Sequence, residues 1–267
     1  MRNLAFNLFF YVYTFFIALA LYLAAKLSTQ ARMQRIIRHW GRTVIAAVRL
    51  ILGSHIEVLD KHKVPQEGAV LLVSKHQSEL DIVVLAAEFP QAAAVAMAEL
   101  TRYPFFGPIL RALDVVTVAL EAGPQGRTEQ VIEGTARVFG QDRPMMIYPE
   151  GELMYPGARE RYRRGAAHLY TRLDPVVVPV ANSLGVIWPR REWNKRSHRR
   201  GAVRFLDPIQ PGLGFEAFLT EIETRIEAES MALLDGALPP EEMALAQERH
   251  AKRLNNKGEP VTPTEDA

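Results

Sequence analysis

Residues 70–89 read VLLVSKHQSELDIVVLAAEF, and this stretch decides the fold. It opens with an unbroken apolar run of strand length, and Ser78-Glu79-Leu80-Asp81 then carries the S-x-x-[DE] pattern that starts a helix. A strand buried on both faces that feeds a helix is the unit of a parallel sheet, because parallel strands need crossovers and the crossover helices cover both faces. The alternation continues outward. Short apolar runs at 56–59, 69–73, 92–97, 145–148, 176–181 and 202–206 predict strands, and helical spacing near 79–88, 105–113, 127–140, 160–173 and 215–234 predicts helices between them. The expected fold is α/β, a mostly parallel central sheet covered by helices and preceded by a two-helix membrane-associated segment.

The same stretch carries the chemistry. His76 falls at a strand's carboxyl end and Asp81 in the first helical turn, where open α/β sheets place their ligand sites. A first turn can bring Asp81 back to fix the His76 tautomer and stabilise its protonated form; Asp81 can equally serve only as the capping-box acid. His55 and Asp60 repeat the spacing on a strand, where residues five apart lie roughly 16 Å from each other on opposite faces and form no dyad. At Met145-Met-Ile-Tyr-Pro-Glu-Gly-Glu152 a strand ends at Tyr148, and Pro149 and Gly151 make a turn that displays Glu150 at the same sheet edge. A third run, residues 176–182, is an apolar strand interrupted by Pro179, which by itself suggests an edge or a bulge.

Ahead of the sheet, residues 4–25 form an uncharged apolar run broken only by Asn7 and Thr14. At about 1.5 Å per residue it is long enough to cross a hydrocarbon core of about 30 Å, and shallow insertion is the alternative. Residues 31–53 hold Arg32, Arg35, Arg38, Arg42 and Arg49 on one helical stripe opposite an apolar side, which suits either a helix at an anionic bilayer surface or a core helix with a solvated face. The basic excess after the span puts the remainder in the cytoplasm, on an inner membrane. The expected divisions are 1–27 (membrane-inserted helix), 28–54 (basic amphipathic surface helix), 55–234 (catalytic domain) and 235–267 (a polar, partly disordered tail with a helical pattern at 241–253).

Composition excludes several classes. The 267 residues carry 32 Lys plus Arg against 30 Asp plus Glu, too balanced to argue for nucleic acid on net charge. No cysteine is present, which removes disulfides, thiolate nucleophiles and Cys-ligated metal centres. No G-x-S-x-G or Gly-rich phosphate loop occurs, and no metal set clusters in the sequence. The segment 188–200 interleaves six Lys/Arg with Trp188 and Trp193; beside a membrane span it suits anionic headgroups or an acidic carrier protein, with a solvated loop as the plain alternative.

Taken in order, His76/Asp81, Tyr148-Pro149-Glu150-Gly151 and Val178-Pro179-Val180 resemble the H-x-x-x-x-D, F-P-E-G-T-R and V-P-V blocks of the lysophosphatidic acid acyltransferase family, over residues 70–225. The resemblance implies a glycerolipid acyltransferase-like fold and acyl transfer from an acyl carrier protein or coenzyme A thioester, a co-substrate and not a bound cofactor, to a lyso-lipid hydroxyl. It implies His76 as general base, Asp81 as its orienting acid, and Glu150 as a residue that positions the acceptor. Backbone N–H groups in the turn after His76 are the expected oxyanion donors. The chain departs from the family at both motif arginines used around the acceptor phosphate: Ala119-Leu120 stand in place of Asp-Arg, and Glu152-Leu153 follow Gly151 in place of Thr-Arg. A carboxylate added where guanidinium groups are lost disfavours a phosphate monoester. Arg159, Arg161, Arg163 and Arg164 could replace those arginines from another angle. The expected acceptor is a phosphorus-free lyso-aminolipid of the ornithine, glutamine or sulfonated-amine type, whose amine could meet Glu152. Lysophosphatidic acid is the alternative, and a non-catalytic membrane-anchored binding protein the second.

Overall fold

The computed structural model describes residues 1–27, 29–104 and 106–257. Among them seven strands form one sheet: β1 (His55–Leu59), β2 (Val70–Ser74), β3 (Ala93–Met97), β4 (Val116–Val118), β5 (Met145–Ile147), β6 (Val176–Asn182) and β7 (Arg200–Phe205). Their order is β1-β7-β6-β2-β5-β3-β4, and every neighbouring pair is parallel except β6 with β7. β2 lies in the middle, which is why its side chains are apolar without alternation. Leu72 packs into a core with α1 (Arg2–Leu27), α2 (Gln30–Ala47) and α3 (Glu79–Glu88), while Leu71 and Val73 pack into a second core with α5 (Gly123–Phe139), α6 (Gly165–Leu173) and α7 (Phe215–Leu234).

α3 starts where its sequence says it should. Ser78 caps it, its hydroxyl accepting from Leu80 N–H, and the Asp81 carboxylate closes the capping box. Two details differ from the sequence reading. β4 was not foreseen. Pro179 lies on β6, an interior strand rather than an edge. Its carbonyl accepts from Leu206 N–H, so its missing donor faces the side where the partner chain leaves the ladder before rejoining at the Val177–Ile209 bridge.

The N-terminal helices lie along the domain. Phe6 is fully buried, with its ring edge-on to Trp188, and Tyr11 stacks on Trp193. The two polar interruptions of α1 each bond to protein: Asn7 donates to the Trp193 carbonyl, and Thr14 accepts from the Trp40 indole. α2 turns its apolar side to α1 and α3, so closely that a Cβ on Gly41 would fall 2.7 Å from that of Ala87. Its arginines Arg32, Arg35, Arg38 and Arg42 are exposed. The apolar side of this helix is therefore core, and only its basic stripe is left to face outward.

The segment from 235 is not a free tail. Leu238 is buried, and α8 (Pro240–Lys257) folds back onto the domain through ion pairs of Arg249 with Glu192, of Glu242 with Arg196 and Arg199, and of Arg253 with Glu152 and Glu160. Of residues 255–267, expected to be disordered, the first three continue α8 to Lys257, and residues 258–267 lie outside the described residues.

Candidate active site

Three adjacent strands, β6, β2 and β5, end together, and their carboxyl ends carry the site. His76 follows β2 and lies one turn from the start of α3, so Asp81 is brought back to it: Nδ1 is 3.1 Å from Asp81 Oδ2. The same oxygen accepts from the backbone N–H groups of Gln77 (2.7 Å) and Ser78 (3.0 Å). Asp81 is thus both capping acid and imidazole partner, and the two readings of the sequence are one geometry. Burial pushes its carboxyl upward, while the His76 bond and the two backbone donors pull it down. With Nδ1–H donating to Asp81, Nε2 is left as the lone-pair acceptor. Tyr148, at the end of β5, stacks on the imidazole with ring centres 3.9 Å apart.

Glu150 points inward. One oxygen accepts the His76 backbone N–H at 2.8 Å; the other is 2.8 Å from Lys75 Nζ, and the side chain is fully buried. Lys75 in turn reaches Glu227 Oε1 at 2.6 Å and the Ala158 carbonyl at 3.1 Å, and Tyr162 donates to the same Glu227 oxygen at 2.9 Å. Burial raises the Glu150 carboxyl to about 7, against the opposing pull of Lys75. Glu150 therefore does not reach the cleft, contrary to the expected contact with an acceptor. Nor are the first two N–H groups after His76 available to an oxyanion, because both are bound to Asp81.

A cleft of about 960 Å³ opens beside His76 between α5, α6 and the sheet. Ile82, Val95, Ile132, Met146 and Leu169 line its apolar length, and Gly151, Glu152, Arg163 and Arg164 its polar mouth. Gly151 has φ +70°, a backbone conformation that favours glycine, and the Arg163 guanidinium lies over it, 2.5 Å from where a Cβ would stand. Of the four candidate arginines, Arg159 leaves the cleft for Glu227 (3.6 Å) and Arg164 pairs with Glu216 (2.8 Å). Arg161 is exposed and does not line the cleft, and Arg163, which does, has no acid partner among the described residues. Glu152 is not an open anion waiting for an amine; Arg190 holds it at 3.1 Å and Arg253 at 2.5 Å.

The basic segment 188–200 is also largely engaged. Trp188 and Trp193 seat α1, Lys195 lies over both rings, Arg190 serves Glu152, and Arg196 and Arg199 serve Glu242. It is a latch for the termini rather than an open face for a carrier protein. Among the described residues no three His, Cys, Asp or Glu side chains converge as metal ligands. Sequence reasoning missed Lys75, Tyr148, Tyr162 and Glu227. Lys75 could have been noticed as a lysine inside an otherwise buried run, but Glu227 looks like any helix-face acid.

The site is thus a hydrogen-bonded His–Asp pair at the carboxyl edge of a parallel sheet, opening on a largely apolar cleft. The sequence profile described as Acyltransferase matches residues 55–183. Among its relatives is the 1-acyl-sn-glycerol-3-phosphate acyltransferase of Pseudomonas aeruginosa, 28% identical over 66% of this chain and 68% of its own length. The Saccharomyces cerevisiae protein of the same name is 25% identical over 83% of this chain and 77% of its length. The fold matches the crystal structure of the 1-acyl-sn-glycerophosphate (LPA) acyltransferase PlsC from Thermotoga maritima, with a TM-score of 0.72 and 19% identity, covering 87% of this chain and 98% of that one.

Proposed function

We propose that the protein transfers a fatty acyl group from an acyl carrier protein or coenzyme A thioester to the hydroxyl of a phosphorus-free lyso-aminolipid, at a bilayer surface. The observation that carries the reaction is the His76–Asp81 pair opening on the apolar cleft. His76 Nε2 takes the hydroxyl proton as the oxygen attacks the thioester carbonyl, and Asp81 holds the imidazolium that forms. Collapse of the tetrahedral species breaks the C–S bond, and the proton passes from His76 to the leaving thiolate. The acyl chain occupies the apolar length of the cleft, which keeps water from the thioester.

Arg163 supports the acceptor. It is the candidate guanidinium left unpaired on the cleft wall, against Gly151 and in the same cleft as His76. Amino-acid and sulfonated headgroups carry one carboxylate or sulfonate, which a single guanidinium fork matches; a phosphate monoester carries close to two charges and calls for more. Lysophosphatidic acid remains a second reading, favoured by the names of the relatives. The exposed apolar stripe of α1 and the exposed arginines of α2 support attachment to an anionic membrane, here assigned to the inner membrane with the domain on the cytoplasmic side.

The test is a purified-enzyme assay with one acyl thioester and a panel of lysophosphatidic acid and N-(3-hydroxyacyl) ornithine, glutamine and sulfonated-amine lipids. The aminolipids are expected to be esterified at least about tenfold faster in kcat/KM, a difference of about 1.4 kcal/mol. Preference for lysophosphatidic acid would establish the second reading. His76→Ala is expected to remove ester product while leaving membrane association intact; undiminished product would sink the assignment of the base.

A further inference from the structure

We propose that Lys75 and Glu227 are positioning residues for the reaction: together they hold Glu150 so that its second oxygen fixes the His76 peptide. The inference rests on the reading of His76 as the base and extends it to two residues outside every motif.

The imidazole ring is set by Asp81 and by stacking on Tyr148, but a ring cannot be placed more accurately than the peptide that carries it. That peptide is gripped at both ends by the loop after β5. Its N–H donates to Glu150 Oε2 at 2.8 Å, and its carbonyl accepts from Met154 N–H at 2.6 Å. Glu150 can do this only if its own position is fixed and its charge countered within the core. The Lys75 ammonium does both. It has three protons and three acceptors within reach, Glu150 Oε1 at 2.8 Å, Glu227 Oε1 at 2.6 Å and the Ala158 carbonyl at 3.1 Å, so it has no second arrangement available. Glu227 is brought by α7, whose neighbouring Ile222 and Ile226 are buried under the sheet, and it is steadied further by the Tyr162 hydroxyl and by Arg159. The line of contact runs from a rigid helix through an ammonium and a carboxylate to the peptide of the proposed base. An error of an ångström in that base costs far more in rate than in stability.

A stability role alone explains the arrangement poorly. Buried ion pairs rarely stabilise a fold more than apolar side chains of the same volume, so three charges spent beside the base point to geometry. Charge also couples the groups. Those facing Glu150 are Lys75 and His76 from the β2–α3 turn with Asp81 behind them, Tyr148 from β5, Arg159 and Tyr162 from the loop, and Glu227 with Glu223 from α7; His250 of α8 lies near Lys75. Lys75 favours the ionised form of Glu150 and Glu227 opposes it. The two neighbours therefore pull the same carboxyl in opposite directions.

The experiment measures kcat, KM for both substrates, the pH profile of kcat and the melting temperature for wild type, Glu227→Gln, Lys75→Met and the double variant Lys75→Met/Glu227→Leu, all in the full-length enzyme. In Glu227→Gln kcat is expected to fall about tenfold with each KM within about twofold of wild type. The acidic limb of the profile moves to lower pH in Glu227→Gln, where a repelling charge is gone, and to higher pH in Lys75→Met, where an attracting one is. The double variant keeps the volume of the core but leaves Glu150 without its cation, so it melts below wild type, and it remains slow when assayed well below its own melting temperature. A double variant with wild-type kcat, or single variants whose acidic limbs do not move, overturns the inference. The wild type separates the two claims: a wild type without ester product overturns the acyl-transfer reading and this inference with it, whereas an active wild type with unchanged variants overturns this inference alone.

Discussion

At the scale of single residues, the site is a set of charges placed where water cannot reach them, and its pH behaviour follows from that. Glu150 titrates at about 7 in the folded protein against an ordinary 4.5, because burial penalises its anion. Between those values the native state binds more protons than the unfolded one, so this carboxyl contributes stability that is complete below about 4.5 and is lost as pH rises through about 7. Asp81, raised by the same cause, acts in the same direction. Glu150→Gln leaves Lys75 paired with Glu227 alone and removes the ionisation. Relative to this variant, the wild type is expected to lose of order 3 kcal/mol between pH 4.5 and pH 8. Thermal melts of both proteins across that range measure it; parallel curves would show that Glu150 is ionised throughout.

At the scale of elements, legibility followed distance along the chain. Strand β2, the cap at Ser78 and the approach of Asp81 to His76 were readable because periodicity, capping and a five-residue return are local. The partners of Glu150 and Glu152 were not. Lys75 and Glu227 meet across 152 residues, and Arg190 reaches Glu152 from 38 residues away, and nothing in a charged residue's neighbours announces such a partner. The same blindness made α8 look like a solvated tail, since its polar residues find partners only in the folded domain. α8 bears on the cleft through one wall: Arg253 holds Glu152 and Glu160, and Met243 lies against Gly157, so the loop of residues 149–164 is braced from behind. Truncation after Leu238 keeps that buried leucine but removes the brace. KM for the lyso-lipid is expected to rise several-fold, roughly 3–10 times, with a smaller change in kcat and a lower melting temperature. Steady-state kinetics in mixed micelles decide it; an unchanged KM would mean that the loop holds its shape without α8.

At the scale of the whole molecule, the question is how the domain meets the bilayer, and α1 answers it through its two sides. Leu4, Leu8, Tyr11, Val12, Phe15, Phe16, Leu19, Leu23 and Leu27 are exposed and fall on one arc of the helix. The opposite arc is committed to protein, with Asn3 on Asn194 and Lys195, Asn7 on Trp193, Phe6 and Phe10 on Trp188 and Thr14 on Trp40. A helix that crosses the membrane surrounds itself with lipid, and to do so α1 would have to undock. Undocking would uncover the Trp188 and Trp193 rings of the domain, and the amides of Asn3 and Asn7 would enter hydrocarbon unpaired at a cost of several kcal/mol. The sequence read by length alone permits a span; the packing favours a helix lying in the plane of one leaflet, with the exposed arginines of α2 beside it for anionic headgroups. The chain has no cysteine, so single introduced cysteines report cleanly. In sealed inverted membrane vesicles, Arg2→Cys and Lys26→Cys are both expected to react with a membrane-impermeant maleimide from the outside, because both ends of an in-plane helix lie on one side, the cytoplasmic side under the orientation proposed above. Protection of one end until the vesicles are opened would place α1 across the bilayer and show that the docked face comes away from the domain.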